Sequence, residues 1–532
     1  MPLRLHRAVW GLAWAVATLL NAQPTQPAAS GADQSIAAIQ QAIEDGQPDQ
    51  ARERIAASLR KYPANGGILN LRGVLHAQQR DMAAARADFQ EAVRLSPGLL
   101  PAWQNLARAC QTLAGESAAG RDTGAMDCAL RSWRHVLGSL RGDAEALSAL
   151  ATLYEWRGDF SESLRQIEAL APADAAELPM LALRCADLAG LGRVGEAIEA
   201  AKHLSRTPGY TDEIAALIFP VLRTPETAPV LIVLAEALDS AHRASPETLR
   251  LLGLAYEKTG RSADARKTIE RAAVMEPGET ADLYELARLA YLGHDREGAL
   301  GYLGHIRDIA PKDARAHFLF GIIAVEMELP LEARNSLTRA LELDPKNPIY
   351  SLALGSLILS GRDAGDAAPY FQTYLAAHPE DPRGHFALGM AYFAASEYPQ
   401  ARAEMTRVAA RPETSGGAEY FLGRIARAED SLDEAALHLE RAIQLLPKFP
   451  DARAELAKVR LRQGLPDKAR AAIDSALAID PDNYQANLAL LALLEKAHDP
   501  KAAAQRDHLK QLESKRKAQE QLMLRTIEMR PF

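Results

Sequence analysis

Between residues 253 and 457 a small residue recurs every 34 positions: Gly253, Ala287, Gly321, Gly355, Gly389, Gly423 and Ala457. Twelve residues after each stands an alanine: Ala265, Ala299, Ala333, Ala367, Ala401, Ala435 and Ala469. Prolines close the units at Pro277, Pro311, Pro345, Pro379, Pro412, Pro447 and Pro481. A period of this length excludes a fold built around one central core and requires an array of like units. The unit is a helical hairpin. Leu283, Ala287 and Ala290 fall on one face of a first helix, and Ala299, Leu303 and Ile306 on one face of a second. Small residues let the backbones approach, large ones fill the remaining space, and stacked neighbours complete a core that no single hairpin can bury.

The grid extends upstream. Gly73, Ala85 and Pro97 repeat the spacing, and Ile39, Ala51, Ile55 and Pro63 do so one unit earlier. Trp103 and Ala107 open a unit that absorbs an insertion near 115–124 before Ala129, Trp133 and Val136. Further units start around Ala151 and Cys185. The unit at 212–245 is degenerate, because Pro220, Pro225 and Pro229 crowd its first helix and turn. The expected divisions are therefore N-terminal units over 32–245, a regular array over 246–483, and a degenerate last unit with a charged C-terminal capping helix over 484–532. From Lys501 onward, eight Lys/Arg stand against four Asp/Glu, a composition suited to a polar cap that solvates the end of an array.

Each unit resembles the tetratricopeptide repeat, or TPR. The likeness rests on the small eighth residue, the alanine at the twentieth, the proline at the thirty-second and a large apolar twenty-fourth residue. That last position reads Ile269, Leu303, Leu337, Phe371, Met405, Leu439 and Ile473. Aromatics typical of the family stand at Trp103, Tyr154, Tyr256 and Tyr392. The resemblance implies an all-α protein, a right-handed α-solenoid superhelix of about 13–14 helix-turn-helix units. It implies a binding surface and no particular pathway.

The first 22 residues read as a secretory signal peptide. A basic start (Arg4, His6, Arg7) precedes an apolar run from Ala8 to Leu20 and a small-residue cleavage site, Leu20-Asn21-Ala22. The run is short for a membrane anchor. Residues 23–31 form a flexible lead-in. The chain is expected to be exported from a bacterial cytoplasm, periplasmic or secreted, with no transmembrane span after cleavage. In that setting Cys110 and Cys128, on the two helices of one unit, are candidates for a disulfide that the sequence alone leaves open. Cys185 stands where other units place their small residue and reads as core. The formal net charge of −8 offers no field for nucleic acid.

Catalytic chemistry has no signature here. No glycine-rich phosphate loop, no zinc-type His-Glu-x-x-His, no paired-cysteine spacing and no nucleophile elbow is present. His317 and His385 share the fourth position of their units. They read as partly buried core residues, with a ligand pair as the alternative. The chain is read as non-enzymatic, with no cofactor and no metal.

Function is expected on the fifth, ninth and twelfth positions of each first helix, which in the resembling family line a concave groove. Around 148–155 these are polar. From residue 284 they become Tyr284, Arg288, Tyr291; Phe318, Ile322, Val325; Leu352, Ser356, Leu359; Phe386, Met390, Phe393; and Tyr420, Arg424, Arg427. Helices at 316–325 and 384–394 are thus apolar nearly all round, and such helices are covered on every side. Two arrangements satisfy this. A partner's apolar segment occupies the groove, with Arg288, Arg424 and Arg427 pairing its carboxylates, or curvature makes the inner faces cover one another. The reading is a scaffold that binds a protein or peptide partner through Tyr284, Arg288, Tyr291, Phe318, Ile322, Phe386, Met390, Phe393, Tyr420, Arg424 and Arg427. The alternative is an assembly or accessory factor of an envelope machinery for polymer export, pilus formation or secretion.

Overall fold

The computed structural model describes residues 31–116, 122–361 and 363–513. The expected leader and nearly all of the lead-in, the centre of the 115–124 insertion and the tail beyond Glu513 lie outside these residues. What is described is all-α, with no strand among the described residues. It divides into two compact units, at Pro277 and Gly278.

In the N-terminal unit the helices pair as Gly31–Glu44 with Pro48–Lys61, Gly66–Gln78 with Met82–Leu95, and Leu100–Glu116 with Thr123–Ser139. Ala144–Arg157 then pairs with Phe160–Glu168, Leu178–Gly190 with Val194–Arg206, and Pro246–Lys258 with Ser262–Met275. The proline-rich stretch builds a weak first helix, Asp212–Ile218, which Pro220 turns into a 3-10 segment, Phe219–Leu222, before Ala228–Ser240. The C-terminal unit contains seven hairpins, starting with Thr280–Leu292 and Arg296–Ile309 and ending with Tyr484–Lys496 and Ala502–Glu513. Asp and Asn side chains cap many first helices, as Asp313 does for Ala316 N and Asn483 for Ala486 N.

The grid is core throughout. All seven alanines at the twentieth position are fully buried, and Leu303, Leu337, Phe371, Met405 and Leu439 have no exposure either. Each such large side chain contributes about 1.5–3 kcal/mol by leaving water. A methyl added at Gly321 would lie 2.7 Å from Leu337, and one at Gly423 would lie 2.6 Å from Leu439. The glycine therefore clears space for the twenty-fourth residue of its own partner helix. Close approach to the alanine backbone is the second half of the contact, with Ala435 O 3.2 Å from that same position. The expected small-against-small contact is thus joined by a small-against-large one.

Two further features share the period. The turn between the helices carries a left-handed residue at the fifteenth position: Gly158, Gly192, Gly260 and Gly464, but also Arg80, His294, Glu328, Ser396, Asp430 and His498. Gly293 ends its helix as the C-cap, and the left-handed conformation falls to the next residue, His294 (φ 61°). The fourth position often ties a first helix to the proline six residues back. Trp103 Nε1 donates to Pro97 O (2.9 Å), His385 Nε2 to Pro379 O (2.8 Å) and Asn487 Nδ2 to Pro481 O (2.9 Å). His317 Nε2 lies 3.2 Å from Pro311 O. Both histidines are buried, and their period is that of a backbone tether.

Cys110 and Cys128 form a disulfide across one hairpin, with their Cα atoms 5.8 Å apart. Cys185 is buried, its thiol pushed up to about 12 by burial, which makes it unreactive. Replacing both Cys110 and Cys128 with Ser is expected to cost about 3 kcal/mol, the chain-entropy value for a loop of this size. Thermal denaturation with and without reductant checks this, and the double variant should be insensitive to reductant.

Candidate functional site

The expected groove residues all belong to the C-terminal unit. They stand on Thr280–Leu292, Ala314–Glu326, Pro382–Ala394 and Ser415–Ala428. The structure separates them into a supporting layer and a surface layer. Ile322, Phe386 and Tyr420 are buried, the last two only 6% and 3% exposed. Phe386 packs edge-on against Phe421, with centroids 5.9 Å apart, and reaches the following first helix because Gly417 has no side chain. A methyl there would lie 2.7 Å from the Phe386 ring. Tyr420 stands edge-on to Phe421 and to Phe449. Inner faces of successive helices thus cover part of one another, as aromatic edge-to-face pairs favour.

Tyr284, Tyr291, Phe318, Met390 and Phe393 remain half-buried. Phe318 leans on Tyr350 (4.9 Å between centroids), and Met390 packs between the clusters around Phe371 and Phe421. Phe393 lies 5.4 Å from Phe421 and 5.8 Å from Tyr398. Burial, reinforced by Asp313, holds the Tyr284 phenol well above its usual range, and the Arg315 guanidinium stands 4.4 Å over its ring.

The cations differ from one another. Arg288 is joined through Nε and Nη2 to Glu285, one turn back on its own helix. Tyr291 donates to Glu326 (2.7 Å), which also takes Arg296 (2.8 Å). Arg427 Nε lies 3.0 Å from Glu455 Oε2 without hydrogen-bond alignment, and Lys458 Nζ donates to Glu455 Oε1 at 2.7 Å and to Gln485 at 2.6 Å. Burial of Glu455 opposes its ionisation, yet Lys458, Arg427 and Arg424 outweigh it and hold the carboxylate below its usual range. Beside it, burial raises Asp451, which accepts from Asn483 (2.7 Å). Arg424 lies over three rings, 4.5 Å from Phe393 and 5.4 Å from both Tyr420 and Phe421. Its Nε is buried and finds no hydrogen-bond acceptor among the described residues. Cation–π attraction is what orders this side chain.

The sequence did not single out Glu285, Glu326, Asp451 or Glu455. The available signal was register. Glu285 and Glu455 stand at the sixth position of their units, between the core face and the groove face. An acid there meets an arginine of the same helix, as Glu285 meets Arg288, or of the first helix of the preceding repeat, as Glu455 meets Arg427.

A tetratricopeptide-repeat profile matches residues 36–99, 318–382 and 386–453, and a second profile of the same repeat matches 426–494. The chain carries tetratricopeptide repeats. These segments include Phe318, Met390, Phe393 and Arg424, so that part of the candidate face lies on matched repeats, while Tyr284, Arg288 and Tyr291 lie outside them. Solved structures to which the chain is similar include Naa15/Naa10 bound to HypK-THB, at 16% identity and a TM-score of 0.34, covering 90% of this chain and 94% of that one. PilW, described as a widely conserved type IV pilus biogenesis factor, aligns at 18% identity and a TM-score of 0.35 over 40% of this chain and 98% of its own. Yeast Tom70 aligns at 15% identity and a TM-score of 0.29, covering 84% and 99%. No curated protein matches the sequence.

Proposed function

We propose that this TPR protein is a non-enzymatic scaffold that binds a protein or peptide segment along the inner face of its C-terminal unit. The observation that carries the reading is the half-buried apolar strip of Phe318, Met390 and Phe393, backed by Phe386 and Tyr420 and bordered by Arg424. Aromatic and methionine side chains on a rigid support give large contact area at low entropic cost, and Met adapts to varied partners. The buried residues make the wall stiff, and the half-buried ones supply the contact. Arg288 and Arg427 stand in contact with carboxylates of the chain itself, whereas Arg424 acts on Glu455 and Asp451 only through its field, so Arg424 is the cation best placed to meet one from a partner.

We further propose that the protein acts outside the reducing cytoplasm, in the periplasm or beyond. The leader-like first 22 residues and the Cys110–Cys128 disulfide support this. No helix among the described residues is long and apolar enough to cross a membrane.

The test is crosslinking in the native host, followed by capture with a Met390→Ser/Phe393→Ser variant. Both residues are half-buried, so helical content and melting temperature should stay close to wild type while partner capture falls at least tenfold. Undiminished capture by a folded variant would sink the groove reading. Co-purification with a membrane complex that survives the double change would favour the envelope assembly factor instead.

A further inference from the structure

We propose that the seam between helices Phe160–Glu168 and Leu178–Gly190 is a proton-gated joint, closed while Asp187 is neutral and loosened when it ionises. Asp187 and Ser163 face this seam from its two sides and both are 0% exposed. Neither carboxyl oxygen of Asp187, nor Ser163 Oγ, makes an aligned hydrogen bond among the described residues. An uncharged carboxyl tolerates such a site, whereas a carboxylate without donors does not.

The surroundings leave ionisation uncompensated. From Ala144–Arg157 the facing group is Glu155, another acid, and from Phe160–Glu168 it is Ser163. Val194–Arg206 buries only Ala197, Ala201 and Leu204, while Asp212–Ile218 buries Ile214, Ala215 and Ile218. The 3-10 segment adds Phe219 and Leu222, and Pro172–Ala175 buries nothing. Of the charged and phenolic groups nearby, Arg165 pairs with Glu162, Glu196 with Arg193, Lys202 with Glu199, Asp212 with Thr248 and Ser245 N, and Tyr210 with Leu234 O. On the same helix Arg184 points to solvent. Burial accordingly pushes the Asp187 carboxyl up to about 7; the Ser163 hydroxyl, which faces it as a single misaligned donor, opposes the shift without offsetting it, and Glu155 adds to it. The joint is also short of structure. Helix Phe160–Glu168, on one side of it, has nine residues, against the fourteen of its hairpin partner Ala144–Arg157.

The sign follows from proton linkage. The closed seam binds a proton that the open one releases from an ordinary carboxyl, so closure is strongest in acid. It weakens as pH rises through the interval from the ordinary aspartate value to about 7, by about tenfold in the opening constant per pH unit, and is constant above. The test is hydrogen exchange of segment 160–190 in the full chain, wild type against Asp187→Asn, at pH 5, 6, 7 and 8. The variant keeps a neutral group of the same shape, so comparison at equal pH cancels intrinsic exchange. The ratio of wild-type to variant opening should rise about 50-fold from pH 5 to 7, by about twofold more to pH 8, and level above that. A ratio independent of pH would overturn the joint. If D187N does not fold, an infrared titration of the wild-type carboxyl decides. A midpoint near neutrality supports the joint, and one in the ordinary carboxylate range refutes it.

Discussion

Glu455→Ala is expected to destabilise the C-terminal unit by about 3 kcal/mol, the lower end of the range for breaking a buried ion pair. Glu455 is 3% exposed and holds two cations, Lys458 at 2.7 Å and Arg427 at 3.0 Å, from two successive first helices. Removing the carboxylate leaves both cations without a counter-ion on a partly desolvated face. Their side chains keep 22% and 29% exposure, so each can turn towards water, which sets the cost at the low end. Urea denaturation of wild type and variant at neutral pH measures it. The pH dependence has a definite sign. Because Glu455 is held below its ordinary range, its contribution is fully present above that range and is lost as pH falls through the depressed value. The stability difference between wild type and E455A should therefore shrink on acidification. A variant as stable as wild type at pH 7 would show that the network is not a support for the groove wall.

Trp133→Ala should cost the N-terminal unit about 3–5 kcal/mol, as large-to-small changes in closed cores do. Trp133 is 1% exposed, and its indole N–H donates to Gln111 Oε1 at 2.9 Å. The substitution opens a cavity beside the fully buried Ala129 and Val136 and also leaves the Gln111 acceptor without its donor. The disulfide holds Thr123–Ser139 against Leu100–Glu116, so the cavity has little room to collapse. Trp133→Phe keeps most of the volume and should lose about 1–2 kcal/mol, mainly with the hydrogen bond. Denaturant midpoints of the two variants separate the terms, and equal losses would show that the hydrogen bond, not the volume, dominates.

How far the fold could be read follows from which residues repeat. Gly321, Ala333 and Leu337 lie in one helix–helix contact, and helical periodicity alone places them there. The left-handed turn residue was invisible where it is not glycine, because His294, Glu328 and Asp430 have no common chemistry. Their conformation is imposed by the helices on either side. The candidate face was legible as a change of character between Tyr284 and Arg427, but its layering was not. Phe386 is buried because Gly417, 31 residues on, opens the next helix to it, and a pattern read along one helix contains no such term. Glu455 was missed for a related reason, since a lone acid at a sixth position gains meaning only beside an arginine of the previous repeat. The Asp187 site has no sequence signature at all, because its character comes from what its neighbours lack.

The turn residues have a consequence for how such an array can vary. A left-handed side chain costs about 1 kcal/mol relative to glycine, yet within the C-terminal unit this conformation is held by His294, Glu328, Ser396, Asp430, Gly464 and His498 in turn. The core tolerates that cost because each hairpin is gripped by its neighbours. Among the described residues these exposed positions stand outside the helix–helix contacts, spaced at the period of the repeat like marks on a ruler, and Asp430 alone of the six also takes Arg462 of the next repeat through its side chain. Charge, bulk or a reactive group can be changed there one mark at a time, while the interlocked interior takes no notice.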